Sequence, residues 1–514
     1  MRFLLLFILF LSSKFILSQQ NTVSINSFYK DQLYAPQKNG NYQEGDFLPV
    51  TESEYNLPKY ISDSSKQYYK ITSILFKKHL VELKGKDYYF TISPVFDLSL
   101  GKNKDDDSLA SRKFQNTRGF YIEGDFFKNF SFSSSFYENQ ARFTDYQTEY
   151  YESLGELYPS GNGYNVQNAV IPGAARTKKF KEDGFDYAFA FGNIVYKYNK
   201  SLTFIAGNDN RFIGAGYRSL LLSDNSLNSP YLQANIRISS KLSYRFLRSR
   251  RLNLMRRPFS SSAEAYYEPK GMSVNYLTCK VTDKFALSLF DGGIWSKGDS
   301  VTSEPVHGMF YNPIPFLNSI LVSDKNEFYS LSGLNASYIV SNRLRLYGQL
   351  VTNDFKTSAY QLGFRYYNFF GLKKALFQLE YNDVTSGIYV AQNSRLSYSN
   401  GNLPLAHVKG NGFTEFVGRI NYEYQRFYLD VKFILYTLNN HQNTVLNGYS
   451  PNIEAVNGKV QHQNYEIGYR FNKKINLTLY GSYLFRQDDS SEIPNTQFFS
   501  FGLRTGLNNH YNDF

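Results

Sequence analysis

The stretch EFVGRINYEYQ, residues 415–425, puts Phe416, Gly418, Ile420, Tyr422 and Tyr424 on one side of an extended chain. Glu415, Val417, Arg419, Asn421 and Glu423 fall on the other. Successive side chains of a strand point to opposite faces, so this period of two reads as a strand. A face that repeats charges cannot sit in a dry protein core. It can line the inside of a membrane barrel while its aromatic neighbours meet lipid. KALFQLEYN (374–382) and NYEIGYRFN (464–472) repeat the pattern, with Glu380, Glu466 and Arg470 on the polar side.

The connections between such runs say more than any one strand. Short polar turns recur at Lys128-Asn129, Asn199-Lys200, Ser239-Ser240, Thr282-Asp283, Ser341-Asn342, Gly371-Leu372, Gln425-Arg426 and Asn472-Lys473. Each joins two alternating runs into a hairpin. Between the hairpins lie longer irregular stretches, 138–184, 208–231, 248–271, 293–327, 383–414 and 438–463. Short turns on one side and long loops on the other are the pattern of an outer-membrane barrel, with the turns in the periplasm and the loops outside. The eight hairpins supply sixteen strands. A strand at 88–100 precedes them, and one at 497–505 follows, in QFFSFGLRTGL. These two must pair to close the barrel. The expected fold is therefore all-β, an 18-stranded antiparallel transmembrane β-barrel with a small N-terminal helical periplasmic segment. The last strand stops about nine residues before Phe514, so the aromatic end of the chain is expected to serve some other purpose.

Composition agrees. Aromatic residues make up 18%, with 45 Tyr, 45 Phe and one Trp, in a chain of mean hydropathy −0.43. Polar on average yet heavily aromatic is what lipid-facing and water-facing alternation produces. No segment holds 18 consecutive apolar residues, so a membrane would be crossed by strands. The start, MRFLLLFILFLSSKFILSQQ, has a basic Arg2, an apolar Phe3–Leu11 run and the small Ser18, and reads as a secretory signal peptide over 1–18. Residues 19–87 are expected to form a periplasmic segment with one amphipathic helix. SDSSKQYYKITSILFKKHLVEL (62–83) is capped by Ser62 or Asp63 and carries Tyr69, Ile74, Leu75, Leu80 and Leu83 roughly on one face. Residues 88–514 form the barrel.

Chemistry is sparse. A single cysteine, Cys279, excludes an internal disulfide. The six histidines lack metal-pair spacing, so no metal or other cofactor is expected. No catalytic motif stands out, and the chain is expected not to be an enzyme. Asp105-Asp106-Asp107 lacks the spacing of a calcium loop and reads as solvated. The net charge of +12 points, in an exported protein, to acidic glycans and lipid phosphates rather than nucleic acid.

Two segments draw attention. In GNDNRFIGAGYRSLLLSDN (207–225), the glycines allow a tight path, and Asp209, Arg211, Arg218 and Asp224 are opposite charges close in sequence. The segment is expected to fold into the lumen and lock there by ion pairs, with direct ligand binding as the alternative. In RFLRSRRLNLMRRP (245–258), Arg248, Arg250, Arg251, Arg256 and Arg257 crowd the start of an outward loop, and Tyr266 and Tyr267 follow. Guanidinium groups hold carboxylates and phosphates, and aromatic faces stack on sugar rings. This cluster is read either as a site for an anionic polysaccharide or as a contact with the phosphates of outer-leaflet lipid.

The 207–225 segment resembles the capsule-assembly Wzi family, in its Bacteroidetes-type, gliding-motility RemB-like branch. Gly207, Asp209, Arg211, Gly214, Gly216, Arg218 and Asp224 belong to the matching stretch, which runs through Tyr217-Arg218-Ser219 into Leu220-Leu221-Leu222-Ser223-Asp224. The resemblance implies a non-enzymatic, lectin-like protein that retains capsular or other extracellular polysaccharide, with its barrel plugged. Expected partners are outer-membrane lipid and lipopolysaccharide, a surface polysaccharide, and a protein in the periplasm or outer membrane. Two alternatives stand beside this reading. One is a channel or porin. The other is a component of gliding-motility or secretion machinery.

Overall fold

The computed structural model describes residues 25, 27–35, 46–51, 70–104, 112–127, 129–160, 163–174, 176–181, 183–256, 267–296, 307–322, 324–353, 356–441, 455–506 and 511–514. Eighteen antiparallel strands close into one barrel. In chain order they are β1 (Tyr88–Asn103), β2 (Arg112–Phe126), β3 (Phe130–Arg142), β4 (Gly184–Lys197), β5 (Leu202–Asp209) and β6 (Ser229–Arg237). Then come β7 (Leu242–Arg256), β8 (Tyr267–Lys280), β9 (Phe285–Trp295), β10 (Phe328–Ile339), β11 (Leu344–Asn353) and β12 (Thr357–Tyr367). The last six are β13 (Ala375–Val384), β14 (Phe413–Tyr424), β15 (Phe427–His441), β16 (Val456–Asn472), β17 (Leu477–Asp488) and β18 (Thr496–Arg504). Closure is made by β18 on β1, from Phe498 opposite Asn103 to Arg504 opposite Asp97. Closing the sheet leaves no strand edge unpaired, which hydrocarbon requires.

Alternation sorts the side chains as expected. Phe416, Tyr360, Tyr381, Tyr465, Phe499 and Phe501 are exposed on the outside, while Glu380, Glu415, Arg419 and Glu423 are buried inside. At the tight-turn end the outer face carries Phe126, Phe130, Tyr338 and Tyr424. Tyr465, Tyr483 and Phe499 form a higher ladder, with ring centroids 6.2 and 4.6 Å apart. The lower level is the girdle expected at a membrane interface, and the ladder above it continues the lipid-facing band.

The helix expected over 62–83 is only partly found. Ser62, Asp63 and Tyr69 lie outside the described residues, as do the signal-peptide stretch and Asp105–Asp107. Helix α2 spans Lys70–Phe76, but Val81–Lys84 is a strand paired with Tyr89–Ile92 of β1. The sequence HLVELK fits either period, and pairing with β1 decides for the strand. A helix that periodicity did not show, α1 (Ser27–Leu33), sits in the tight-turn mouth of the barrel. Its Asp31 carboxylate is held between Arg365 at 2.9 Å and Arg419 at 2.8 Å.

The arginine run is a second correction. Arg248, Arg250, Arg251 and Arg256 belong to strand β7, which extends to Arg256, not to a loop. Strand geometry splits the run between two faces. Arg257 and Tyr266 lie outside the described residues.

Candidate functional site

Most of the lumen is filled. The 210–228 connection between β5 and β6 folds inward and is joined there by residues 46–51, 387–411 and 511–514. Phe47 and Leu48 pair with Ile213 and Phe212 as a two-stranded ribbon. Ser223 N–H donates to the Leu405 carbonyl at 2.7 Å, and the Tyr389 and Tyr398 hydroxyls donate to the carbonyls of Leu220 and Leu221, each at 2.7 Å. Leu220, Leu221 and Leu222 pack against inward residues of the wall, among them Leu247, Val274, Phe290, Leu331, Val351 and Val417. Burying each of these leucines contributes about 2 kcal/mol. This half of the barrel therefore encloses an apolar core rather than water.

Wall side chains hold the backbone of the plug. Glu380 accepts from the N–H groups of Tyr217 at 2.7 Å and Arg218 at 3.0 Å, and from the Tyr347 hydroxyl at 2.8 Å. Gln349 accepts from Leu220 N–H and donates to the Ile213 carbonyl. Arg365 donates to the Ala215 carbonyl at 2.8 Å. The two glycines of the motif follow from this crowding. Gly214 has φ +111°, a region that favours glycine, and a Cβ there would lie 2.2 Å from Gln349 Nε2. A Cβ on Gly216 would lie 2.7 Å from a Glu380 carboxylate oxygen.

Ion pairs hold the segment in the lumen, with partners for Arg218 that sequence spacing did not show. Arg211 lies 3.6 Å from Asp209, donates to Gln233 at 2.8 Å and stacks on Tyr231. Arg218 does not pair within its own segment. Its Nε donates to Glu415 at 3.0 Å, Nη1 to Asp513 at 3.0 Å, and Nη2 to the Tyr436 hydroxyl and the Asp513 carbonyl, each at 2.8 Å. Asp224 accepts from the Tyr511 hydroxyl at 2.7 Å. The final residues thus run inside the barrel and complete the plug. Phe514 stacks on Tyr150 at 3.9 Å, a residue of α3 (Asp145–Ser153) in an outward loop. Burial alone would raise the Asp513 carboxyl, but Arg218, Lys432 and His462 outweigh it and hold the group below the usual carboxylate range. Burial pushes the His407 imidazole below its usual value against the pull of Glu415, 2.7 Å away.

One sector is not filled. A cavity of about 710 Å³ lies between the plug and the wall of β1–β3 and β15–β18. Asp31, Asp430, Lys473 and Arg504 line it near the tight-turn end, Lys432 stands above them, and Lys113 and Arg142 lie near the outward end.

The arginine cluster is not one patch. Arg251 is buried on the lumen side and donates to Ser249 at 3.0 Å. Arg248 is buried on the opposite face, and Arg250 is exposed. Arg256 meets Glu156 at 3.1 Å and faces the rings of Tyr158 and Tyr267. Arg176 reaches the same Glu156 at 2.7 Å and the Tyr267 hydroxyl at 2.8 Å. This arginine–tyrosine group stands at the outward rim. Arg176 and Glu156 come from the long loop after β3, which sequence spacing did not connect with β7. Among the described residues, no group of three His, Cys, Asp or Glu side chains could hold a metal ion.

No family model matches the chain, and no curated protein matches it in sequence. Solved structures do share its shape. Wzi of Escherichia coli, described as an outer-membrane protein involved in group 1 capsule assembly and a carbohydrate-binding β-barrel, superposes with a TM-score of 0.55 at 10% identity, over 95% of this chain and 100% of that one. OprD of Pseudomonas aeruginosa gives 0.42 at 12% identity over 80% and 94%, and OccAB2 of Acinetobacter baumannii 0.41 at 10% over 81% and 97%. The likeness to Wzi supports the fold as that of an outer-membrane barrel.

Proposed function

We propose that this chain is a plugged outer-membrane barrel that holds capsular or other extracellular polysaccharide at the cell surface, without catalysis. The observation that carries the reading is the largely filled lumen. An apolar core and the Arg218 network occupy the space a wide pore would need, which leaves the outward rim as the working surface. There Arg176, Arg256, Tyr158 and Tyr267 converge, and cationic forks beside aromatic rings suit an acidic sugar. The 207–225 segment and the shape shared with Wzi support the same reading. Glycan captured by purified protein should fall when Arg250, Arg256, Arg257, Tyr266 and Tyr267 are replaced by Ala. Unchanged capture would remove this site assignment.

A second reading, a narrow channel, is favoured by the cavity that reaches from Asp31 and Lys473 to Lys113 and Arg142. Conductance in planar bilayers separates the two. The plugged barrel should be silent, and steady openings would favour the channel.

A further inference from the structure

The outer wall of β7–β10 departs from a lipid-facing surface. Outward positions on β9 read Phe285, Leu287 and Leu289, then Asp291, Gly293 and Trp295. Asp291 lies in register with Asn275 of β8 and Ser332 of β10, and Gly293 with Ser273 and Ser330. Arg248 of β7 stands opposite Ser273. From the rise and tilt of barrel strands, Asp291 and Arg248 stand about 15 Å above the tight-turn end, inside an apolar band of about 25 Å. A bare Arg–Asn–Asp sector at that depth would put charge against hydrocarbon.

The connection between β9 and β10 covers it. Residues 307–322 run down the outside of the wall as a 3-10 turn at Gly308–Tyr311 and a short helix at Leu317–Leu321. Arg248 Nε donates to the Phe310 carbonyl at 2.5 Å and Nη2 to the Asn312 carbonyl at 2.6 Å. Asp291 accepts from Phe316 N–H at 2.9 Å. Lowest of all, the Tyr244 hydroxyl donates to the Pro313 carbonyl, and Tyr244 is only two residues above the tight-turn end of β7. Phe310, Trp295 and Phe328 pack the upper edge.

The side turned away from the wall is apolar. Tyr311, Ile314, Ile320 and Leu321 are 65%, 56%, 75% and 61% exposed. A loop in water hides such groups and shows its polar ones, and this segment does the reverse. Its apolar side continues the lipid-facing band of the flanking strands, which carries Leu232 and Leu334. We propose that residues 308–322 form a strap embedded in the outer leaflet, which binds acyl chains through Tyr311, Ile314, Ile320 and Leu321 and seals the Arg248–Asn275–Asp291 sector from lipid. Arg248 is then a strap anchor rather than a glycan ligand.

The test uses the full chain in phosphatidylcholine vesicles, with Cys279→Ser and single nitroxide labels at residues 314, 320 and 321. Labels at Leu362 on the lipid face and Asp283 in a tight turn serve as references. The strap labels should match Leu362, accessible to oxygen and shielded from an aqueous nickel chelate. Access to nickel like that of Asp283 would overturn the proposal, and so would shielding from both reagents, the mark of a protein partner. Arg248→Ala should raise nickel access at residue 314 several-fold. Tyr244→Phe, which removes one hydroxyl, should raise it less. No change in a heat-modifiable, closed Arg248→Ala barrel would refute the anchor.

Discussion

Replacing Arg218 with Met should loosen the plug while leaving the barrel closed. The guanidinium supplies four hydrogen bonds, two of them to the carboxylates of Glu415 and Asp513, both fully buried. Removing one partner of a buried ion pair costs about 3–5 kcal/mol, because the other charge is stranded. Neither carboxylate is left bare here. Glu415 keeps His407 and Asn382 Nδ2, at 2.7 Å each, and Asp513 keeps Lys432 at 3.7 Å and the Tyr217 hydroxyl. The cost should therefore lie near 3 kcal/mol, which is about a hundredfold in an equilibrium constant. Hydrogen exchange by mass spectrometry reads this directly. Amides of 213–222, including Ile213 and Leu220, should exchange about 100-fold faster, while the ladders of β7–β10 keep their rates. A change under threefold, or one spread evenly over the strands, would refute the lock. Arg218→Lys, a point charge without the fork, should recover part of the protection.

Two further outcomes concern the last residues. Phe514→Ala removes a buried ring stacked on Tyr150 and edge-on to Tyr151, so exchange in residues 145–153 should rise by roughly the factor that about 3 kcal/mol implies. In the folded state Asp513 titrates below its unfolded value of about 3.9. Its stabilising contribution is therefore complete above that pH and is lost as the pH falls through the folded value. The gap in thermal midpoint between the natural protein and Asp513→Asn should stay constant from about pH 7 to pH 5 and shrink only below about pH 4.

Much of this architecture was legible because a membrane wall obeys a period of two. The eight tight turns, the inward placement of Glu380, Arg419 and Glu423, and the closing strand at 497–505 follow from alternation alone. The interior was readable only in part. The charges and glycines of 207–225 indicated a segment turned inward, but they could not name Glu415 and Asp513, which lie 197 and 295 residues from Arg218. Asp513 belongs to a short polar stretch with no period. α1 was hidden for a similar reason: its docking rests on Asp31 reaching Arg365 and Arg419 and on Tyr29 and Leu33 alone among its apolar side chains, too short a stripe to show a period. The arginine run misled because density of charge was weighed above position in the strand. Extending the alternation through Arg248 and Arg251 would have sent them to opposite faces.

The apolar core inside β6–β16 separates this barrel's stability from its surroundings. A water-filled barrel draws its apolar contacts from the lipid or detergent around it. Here Leu220, Leu221 and Leu222 meet Leu247, Val274, Phe290 and Val351 on the inside, where neither bilayer thickness nor detergent chain length reaches. Around these residues the inner face of the wall carries apolar contacts of its own, as a soluble protein does round its centre. Its cohesion should pass almost unchanged from bilayer to micelle.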